Sequence, residues 1–188
     1  MSKGCLVIVV VEDESQEMLV RRFLRNKGLG THEMRIERSP SGVGSAENWV
    51  RQKFVREVSV YRRRHARTAV IVAIDADTNT VQHRQRQLND ALEAAGESEV
   101  DAKSEEIARL VPRRNVESWI LCLNGHAVDE ETDYKNTKNN WTELIPSAAK
   151  TLLLWTHSKD AIPQHCIDSV KDGIGEIKRL RVLDHQSH

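Results

Sequence analysis

The chain has 188 residues, of which 39% are hydrophobic, and this is the usual size of one compact domain with its own core. Its 28 Lys and Arg residues balance 28 Asp and Glu residues, which argues against a protein that coats nucleic acid non-specifically. No stretch approaches the roughly 20 apolar residues of a membrane span, and the apolar run at 5–11 is too short for a secretion signal. We therefore expect a cytoplasmic protein that does not use a membrane.

Strands and helices alternate from the beginning of the chain. The continuous β-branched run at 5–11 is typical of a strand covered on both faces of a parallel sheet. Apolar residues then recur four apart until Gly28, which predicts a helix, and a weaker strand follows at 32–37. Ser45 is placed to cap a long second helix that reaches the arginines at 62–64.

The same alternation continues beyond the second helix. The apolar run at 68–74 predicts another buried strand, and the helix after it ends near Gly96. Residues 107–111 predict a fourth strand, and Asn115 is placed to cap the apolar helix that ends near Gly125.

The last third of the chain is less regular. Residues 126–140 are polar and predict a loop, and apolar residues return at 141–155. The apolar spacing from 167 to 177 predicts a last helix that is interrupted by Gly173 and Gly175.

This order of elements predicts an α/β fold of the Rossmann-like type. We expect a mainly parallel sheet of about four strands flanked by helices. Residues 1–125 are expected to form the core, and residues 126–188 a loop and helical C-terminal extension packed on the same domain.

The cysteines and the charged residues are unevenly placed. Cys5, Cys122 and Cys166 lie far apart in apolar stretches, so we expect buried, reduced thiols rather than a disulfide framework or a metal site. Residues 51–67 carry seven Lys and Arg against one Glu, whereas residues 90–106 carry seven acids against one Lys. This predicts one basic and one acidic face, although a solvated helix surface explains such a run as well.

Acidic residues follow two of the buried strands. Glu12 ends the first strand, and Asp75 and Asp77 follow the strand at 68–74. Ligands bind outside the carboxyl ends of the strands in an open parallel sheet, and alternate residues of an extended backbone point to one side. Mg²⁺ takes one or two carboxylates and keeps water and substrate phosphate as its other ligands. We therefore predict that Glu12, Asp75 and Asp77 bind Mg²⁺ or Mn²⁺.

Another interpretation of these acids is structural. Acids after a buried strand are also ordinary helix caps and turn formers, and a lone Asp-x-Asp has little weight. The position of Glu12 at the end of a second buried strand favours the metal site. Glu12 either completes this site or acts as a general acid and base, because neighbouring carboxylates raise the pKa of a carboxyl group.

The chain resembles the TOPRIM superfamily of topoisomerases, primases and small nucleases over about residues 5–123. The resemblance is carried by Val9-Val-Val-Glu12 after the first strand and by Ile74-Asp-Ala-Asp77 after a later one. Pro112-Arg-Arg-Asn-Val-Glu-Ser-Trp119 is also similar to a P-x-R-N-x-E-x-W segment. That segment occurs in small stand-alone TOPRIM-like proteins and in the nuclease half of overcoming-lysogenization-defect proteins.

This resemblance implies a Mg²⁺-dependent endonuclease that serves as an effector subunit in bacterial defence against phage. Glu12 takes the position of the family's acid/base glutamate, and Asp75 and Asp77 match its metal-binding aspartates. The family usually has glycine after that glutamate and often a second acid four residues on, where this chain has Asp13 and Gln16. Glu17 is the candidate replacement for the second acid.

Hydrolysis by water is the expected reaction. Topoisomerases of the superfamily need a further domain with a nucleophilic tyrosine, for which this chain offers no room. A bound cation is expected to polarise the scissile phosphate and to activate or position water. The basic helix is expected to hold the DNA or RNA backbone through Arg56, Arg62, Arg63 and Arg64.

Further residues are assigned to the surroundings of the site. The resemblance places Arg114, Asn115 and Glu117 near the acids, although Asn115 as a helix cap explains the same sequence. The helix start at Gly44 and Ser45 presents amide groups that suit a phosphate, although a plain turn is the simpler interpretation.

Two other functions remain open. The Val-Val-Glu-Asp-Glu opening also looks like that of a response-regulator receiver, but a receiver has a Met-Pro and a Lys-Pro that this chain lacks. A non-catalytic subunit controlled by an ATPase partner is the other alternative, because similar small proteins are often encoded beside ATPases. A homo-oligomer is also compatible with the sequence.

Overall fold

The sheet of the protein is built from four strands. The computed structural model describes residues 5–42, 44–64 and 67–186. Its strands are β1 (Leu6–Val11), β2 (Met34–Arg38), β3 (Thr68–Ala73) and β4 (Ile107–Leu110), in the spatial order β2-β1-β3-β4. All three neighbouring pairs are parallel. The prediction of an α/β fold with a parallel sheet of about four strands is therefore confirmed, and the arrangement is Rossmann-like.

The central strands end in register at one edge of the sheet. Val11 of β1 pairs with Ala73 of β3, and Ala73 pairs in turn with Leu110 of β4. The segments after these strands therefore emerge side by side. This brings Glu12 and Asp75 together although they lie 63 positions apart in the sequence.

Six α-helices lie within the described ranges: α1 (Glu14–Asn26), α2 (Ala46–Arg63), α3 (Val81–Ala94), α4 (Val116–Leu123), α5 (Trp141–His157) and α6 (Asp168–Lys178). Helices α2 and α3 cover one face of the sheet, and the other four share a larger core on the opposite face. Val9 and Val11 of β1 face the larger core and Val10 faces the smaller one, as the alternation of a strand requires. The C-terminal helices α5 and α6 thus pack into the same core as α1 and α4.

Side-chain caps begin several of the helices. The Oδ1 of Asp13 accepts a hydrogen bond from the backbone N–H of Gln16 at the start of α1, at 3.0 Å. The predicted caps are confirmed: Ser45 caps α2 and Asn115 caps α4. Because a capping side chain satisfies an otherwise unpaired amide, these residues fix where each helix begins.

The last helix differs from its prediction. Helix α6 is continuous, so the expected interruption at Gly173 and Gly175 is wrong. A Cβ at Gly173 would lie 2.1 Å from Cη2 of Trp119, whereas nothing lies within 4 Å of a Cβ at Gly175. Gly173 therefore makes room for the Trp119 indole, whose Nε1 donates a hydrogen bond to Oγ of Ser169 at 2.8 Å.

The segment from 126 to 140 is a loop without helix or strand, as predicted. No helix in the described ranges has the length and apolar character needed to cross a lipid bilayer.

Candidate active site

Asp75 is the most deeply buried acid at the carboxyl edge of the sheet, with 0% of its surface exposed. Its Oδ1 accepts a hydrogen bond from Nε2 of Gln16 at 2.8 Å, and its Oδ2 lies 3.1 Å from Nζ of Lys135. Burial raises the pKa of Asp75 well above the usual aspartate value, although Lys135 opposes this rise. Such a perturbed, buried acid is more typical of functional sites than of structural cores.

Glu12 lies directly beside Asp75. Its Oε2 accepts a hydrogen bond from the backbone N–H of Asp75 at 3.2 Å, which joins the ends of β1 and β3. Burial raises the pKa of Glu12, the hydrogen bond from the Asp75 amide lowers it, and the charge of Asp77 raises it further. The net rise suits a carboxyl group that takes up and releases a proton.

Gln16 connects these two acids from α1. Its Oε1 accepts a hydrogen bond from the backbone N–H of Glu12 at 2.9 Å, while its Nε2 donates to Asp75. Only 1% of Gln16 is exposed. A neutral amide at this position both donates and accepts, so it orients the two strand ends in a way that a second carboxylate would not.

Asp77 differs from its prediction. It does not continue an extended strand beside Asp75, because β3 ends at Ala73 and Asp77 has a φ of 55°, in the left-handed region. Its side chain is 49% exposed, and its Oδ2 lies 3.5 Å from Nη2 of Arg84. Its charge still raises the pKa of Glu12, so Asp77 lies at the rim of the site.

Glu117 adds a further buried acid from α4. It is 4% exposed, and its Oε2 has no hydrogen-bond partner among the described residues. Burial raises the pKa of Glu117, as does the charge of Asp13, while Lys135 opposes the rise. The charge of Asp13 thus acts on Glu12, Asp75 and Glu117, and these four acids are together called the carboxylate cluster below.

Lys135 supplies the positive charge of this cluster. Its Nζ lies 3.1 Å from Oδ2 of Asp75 and 3.7 Å from Oδ2 of Asp13. Burial lowers the pKa of Lys135, but the charges of Asp75, Asp13 and Glu117 outweigh that effect and raise it. Lys135 therefore stays protonated at neutral pH and is the intramolecular counterion of the cluster.

Two residues that follow β4, Asn115 and Arg113, anchor the loop that carries Lys135. Nδ2 of Asn115 donates to Oδ1 of Asp133 at 2.8 Å, and the same oxygen accepts from the backbone N–H of Lys135 at 3.0 Å. Arg113 joins the loop at Glu131, at 3.0 Å, and also donates to the carbonyl of Asn79. Asn115 thus acts on the site indirectly, through the position of the loop.

Arg84 supports Asp77 from α3. Its guanidinium is buried and forms an ion pair with Glu47 of α2, a contact to Asp77 and a hydrogen bond to Gln87 at 2.9 Å. A buried guanidinium needs such partners because its charge cannot be left unpaired away from water. Arg84 thereby links the rim of the site to both helices on that face.

Other predicted residues lie outside the carboxylate cluster. Glu17 is paired with Arg21 at 2.6 Å and with Arg38 at 3.4 Å, and it makes no contact with Glu12 or Asp75 among the described residues. Arg114 is half-buried and forms no ion pair with any described residue. Gly44 has a φ of 74°, which favours glycine, and precedes the exposed Ser45 cap.

The basic stretch is partly neutralised within the molecule. Arg62 binds Glu105 at 2.7 Å and Glu97 at 3.1 Å, so the expected separation of a basic and an acidic face is wrong at this point. Arg62 also donates to the carbonyls of Ser98 and Glu99. In contrast, Arg56, Arg63 and Arg64 are exposed and form no ion pair with the described residues.

The donor set of the carboxylate cluster fits a hard divalent cation. It offers only oxygen atoms, as Mg²⁺ prefers, and Glu12 and Asp75 are two adjacent carboxylates. The described residues nevertheless contain no group of three or more His, Cys, Asp or Glu side chains arranged to hold a metal ion. The positive charge among these acids is that of Lys135.

Four residues of the site were not predicted from the sequence as contributors: Asp13, Gln16, Arg84 and Lys135. Arg84 has a detectable signal, because it lies between Val81 and Leu88 on the apolar stripe of α3, where a charge is unexpected. Gln16 was identified only as the position at which the TOPRIM pattern often has a second acid. Lys135 has no such signal, because its place depends on how a polar loop folds back.

Comparisons of the chain with protein-family models, with curated proteins and with solved structures gave no match in any of the three.

Proposed function

We propose that the protein is a Mg²⁺- or Mn²⁺-dependent hydrolase of phosphodiester bonds in nucleic acid. The observation that carries this proposal is the pairing of buried Asp75 with Glu12 at the carboxyl ends of two adjacent parallel strands. Ligands bind at this edge of open α/β sheets. The resemblance to TOPRIM nucleases at the same residues supports the proposal.

Each acid has a distinct role in this proposal. Asp75 and Glu12 would hold the cation, with Asp77 at the rim, and Gln16 would keep the two strand ends aligned through its paired hydrogen bonds. When bound, the cation would supply a Lewis acid that polarises the phosphate and lowers the pKa of water. In its alternative role, with the cation held by Asp75, the raised pKa of Glu12 suits its carboxyl group to hold and pass on a proton.

The substrate backbone would be held by arginines that the fold leaves available. Arg56, Arg63 and Arg64 are exposed, so their charges can meet phosphate. Because α2 runs back to the start of β3, Arg63 and Arg64 lie at the opposite edge of the sheet from Glu12 and Asp75 and would hold a part of the backbone remote from the acids. Arg62, which was predicted to bind the backbone with these arginines, also has a structural role, because its guanidinium already donates to Glu97 and Glu105.

The proposal is tested by incubating the purified protein with supercoiled plasmid, single-stranded DNA and tRNA, with Mg²⁺ or Mn²⁺ and with EDTA. We expect cation-dependent cleavage of at least one substrate and a loss of about 100-fold or more in Asp75→Asn. Asp90→Asn, which removes an exposed acid of α3, is the matched control and should cleave like wild type. Equal behaviour of wild type and Asp75→Asn on all three substrates would reject the proposal.

A non-catalytic subunit controlled by an ATPase partner is the second candidate. It is favoured by Lys135, because a cluster neutralised by the chain's own cation is stable without a metal ion. In that case wild type shows no cleavage in the assay. The Asp75→Asn variant is then expected to bind the partner protein as tightly as wild type does.

A further inference from the structure

Lys135 occupies the place where the carboxylate cluster needs a positive charge. Its Nζ is within 4 Å of both Asp75 and Asp13, and its charge also acts on Glu12 and Glu117. Carboxylates that lie close together with little water repel one another, so removing the cation among them leaves uncompensated charge.

The loop is held down at two points before Lys135 in the chain. Asp133 accepts from Asn115 and from the amide of Lys135, which fixes the backbone two residues before the ammonium group. Nearer the start of the loop, Glu130 accepts a hydrogen bond from the amide of Ser169 at 2.9 Å, which joins the loop to α6. The loop residues Glu130, Asp133 and Lys135 are themselves exposed or half-buried, whereas their partners Asn115 and Ser169 are buried in the core, so the loop can leave while the core stays folded.

We propose that Lys135 is a tethered cation that fills the divalent-cation position of the carboxylate cluster, so that a metal ion enters only when the loop at 126–140 withdraws it. This inference rests on the proposed function, and it adds a means of regulation to the same site. Metal-free protein is then held in a closed, inactive state. A partner or substrate that draws the loop away would activate it.

Competition between the two cations has a measurable consequence. If the closed state is dominant, the apparent affinity for metal is reduced by the fraction of molecules in which Lys135 is withdrawn. Removal of the ammonium group should therefore tighten metal binding by about tenfold or more, within the usual range of coupling between two sites.

The experiment is a titration of Mn²⁺ into wild type, Lys135→Gln, Lys135→Arg and Lys138→Gln, followed by calorimetry and by the electron paramagnetic resonance signal of free Mn²⁺. Lys135→Gln should bind at least about tenfold more tightly than wild type. Lys135→Arg keeps the charge and should remain weak. Lys138 is exposed on the same loop and forms no ion pair with the described residues, so Lys138→Gln should match wild type.

The alternative outcomes separate the two proposals. Equal affinity of wild type and Lys135→Gln would overturn the tethered cation alone. A lack of Mn²⁺ binding in every variant would overturn both the tethered cation and the metal site. If Lys135→Gln is unfolded without metal, refolding on addition of Mn²⁺ but not of K⁺ supports the inference, and no refolding contradicts it.

A second inference concerns Cys122 and Cys166, which lie 44 positions apart in the sequence. Cys122 lies in α4 and Cys166 just before α6, and their Sγ atoms are 3.8 Å apart. Both residues are nearly fully buried. Sγ of Cys122 donates to Sγ of Cys166, whose own thiol donates to the carbonyl of Ile167 at 3.6 Å, and the contact with Cys166 lowers the pKa of Cys122 to about 7.

We propose that these two cysteines form a redox pair that closes to a disulfide on exposure to hydrogen peroxide. The Cys122 thiolate attacks one peroxide oxygen, the O–O bond breaks, and the products are a sulfenic acid and, after proton uptake, water. The Cys166 sulfur then attacks the Cys122 sulfur, its proton passes to the departing hydroxide, and a second water leaves. Two thiols thus lose two electrons to one peroxide.

This inference is tested by peroxide treatment followed by intact mass measurement and peptide mapping without reduction. A loss of two hydrogen atoms and a cross-linked peptide pair containing Cys122 and Cys166 are expected in wild type and in Cys5→Ser. Cys122→Ser should show neither. Peroxide-treated wild type that retains both thiols, or that forms only sulfinic acids, would overturn the inference.

Discussion

At the scale of single residues, burial of Asp75 is the feature that distinguishes this edge of the sheet from an ordinary turn. Asp13, which caps α1, leaves 32% of its side chain exposed, whereas Asp75 is fully buried with Gln16 and Lys135 against it. The raised pKa of Asp75 has a cost in stability that depends on pH.

The unfolding free energy should reveal this dependence. Because the folded-state pKa of Asp75 lies above its unfolded value, the folded protein retains a proton that the unfolded chain releases. The contribution of Asp75 is therefore complete below about pH 4 and is lost as the pH rises through the folded-state value. Relative to Asp75→Asn, wild type should lose up to about 1.4 kcal/mol per pH unit in that interval.

Urea unfolding of wild type and Asp75→Asn between pH 4 and pH 8, in buffer with EDTA, measures this difference. Taking the difference between the two proteins removes the pH dependence that comes from the acids they share. A difference in unfolding free energy that stays constant across the interval would show that Asp75 does not titrate in this way.

The arginines of α2 should divide into two groups. Arg56 is exposed and without an ion pair among the described residues, whereas Arg62 is bound to Glu97 and Glu105. Arg56→Gln should weaken binding to DNA or RNA and reduce the dependence on salt by about one counterion. Arg62→Gln should instead lower the unfolding free energy by about 1 kcal/mol. Filter binding in Ca²⁺ and urea unfolding measure the two effects, and the reverse pattern would contradict this division.

At the scale of secondary structure, the packing of α4 against α6 depends on one glycine. The indole of Trp119 lies where a side chain at Gly173 would begin, while the position two residues on is open. This contact also brings Ser169 to the indole nitrogen.

A pair of alanine substitutions should therefore have opposite effects. Gly173→Ala forces the Trp119 indole to move and should destabilise the protein by about 1–3 kcal/mol. Gly175→Ala meets no neighbour within a helix and should stabilise it by about 0.5–1 kcal/mol. Both values come from urea unfolding. Equal effects of the two substitutions would show that Trp119 can move away without loss.

The elements themselves follow from local patterns in the sequence. Each strand is predicted within one or two residues of its observed bounds, because continuous β-branched runs such as 68–74 are typical of buried strands in a parallel sheet. The helix caps at Ser45 and Asn115 are predicted for the same local reason. The last helix is predicted wrongly at Gly173, because the reason for that glycine is the Trp119 ring, which is distant in the sequence.

At the scale of the whole molecule, the site is assembled from segments that no local pattern connects. The meeting of Glu12 and Asp75 can be predicted, because both follow central strands of one parallel sheet. The approach of Lys135 and the contact of Asp77 with Arg84 cannot, because they depend on the path of the 126–140 loop and on a left-handed turn. The sequence thus predicts the acids and the edge of the sheet, but not the counterion among them.

The most direct test of the central claim is the position of a bound divalent cation. Mn²⁺ shortens the transverse relaxation times of nearby amides and so broadens their signals. ¹H–¹⁵N spectra recorded at substoichiometric Mn²⁺ therefore identify the site in the otherwise intact protein. We expect the amides of Glu12, Gln16 and Ala76 to broaden first in wild type and to remain sharp in Asp75→Asn. Broadening that begins instead in the acidic segment 97–106, or that is the same in both proteins, would contradict a cation site at the ends of β1 and β3.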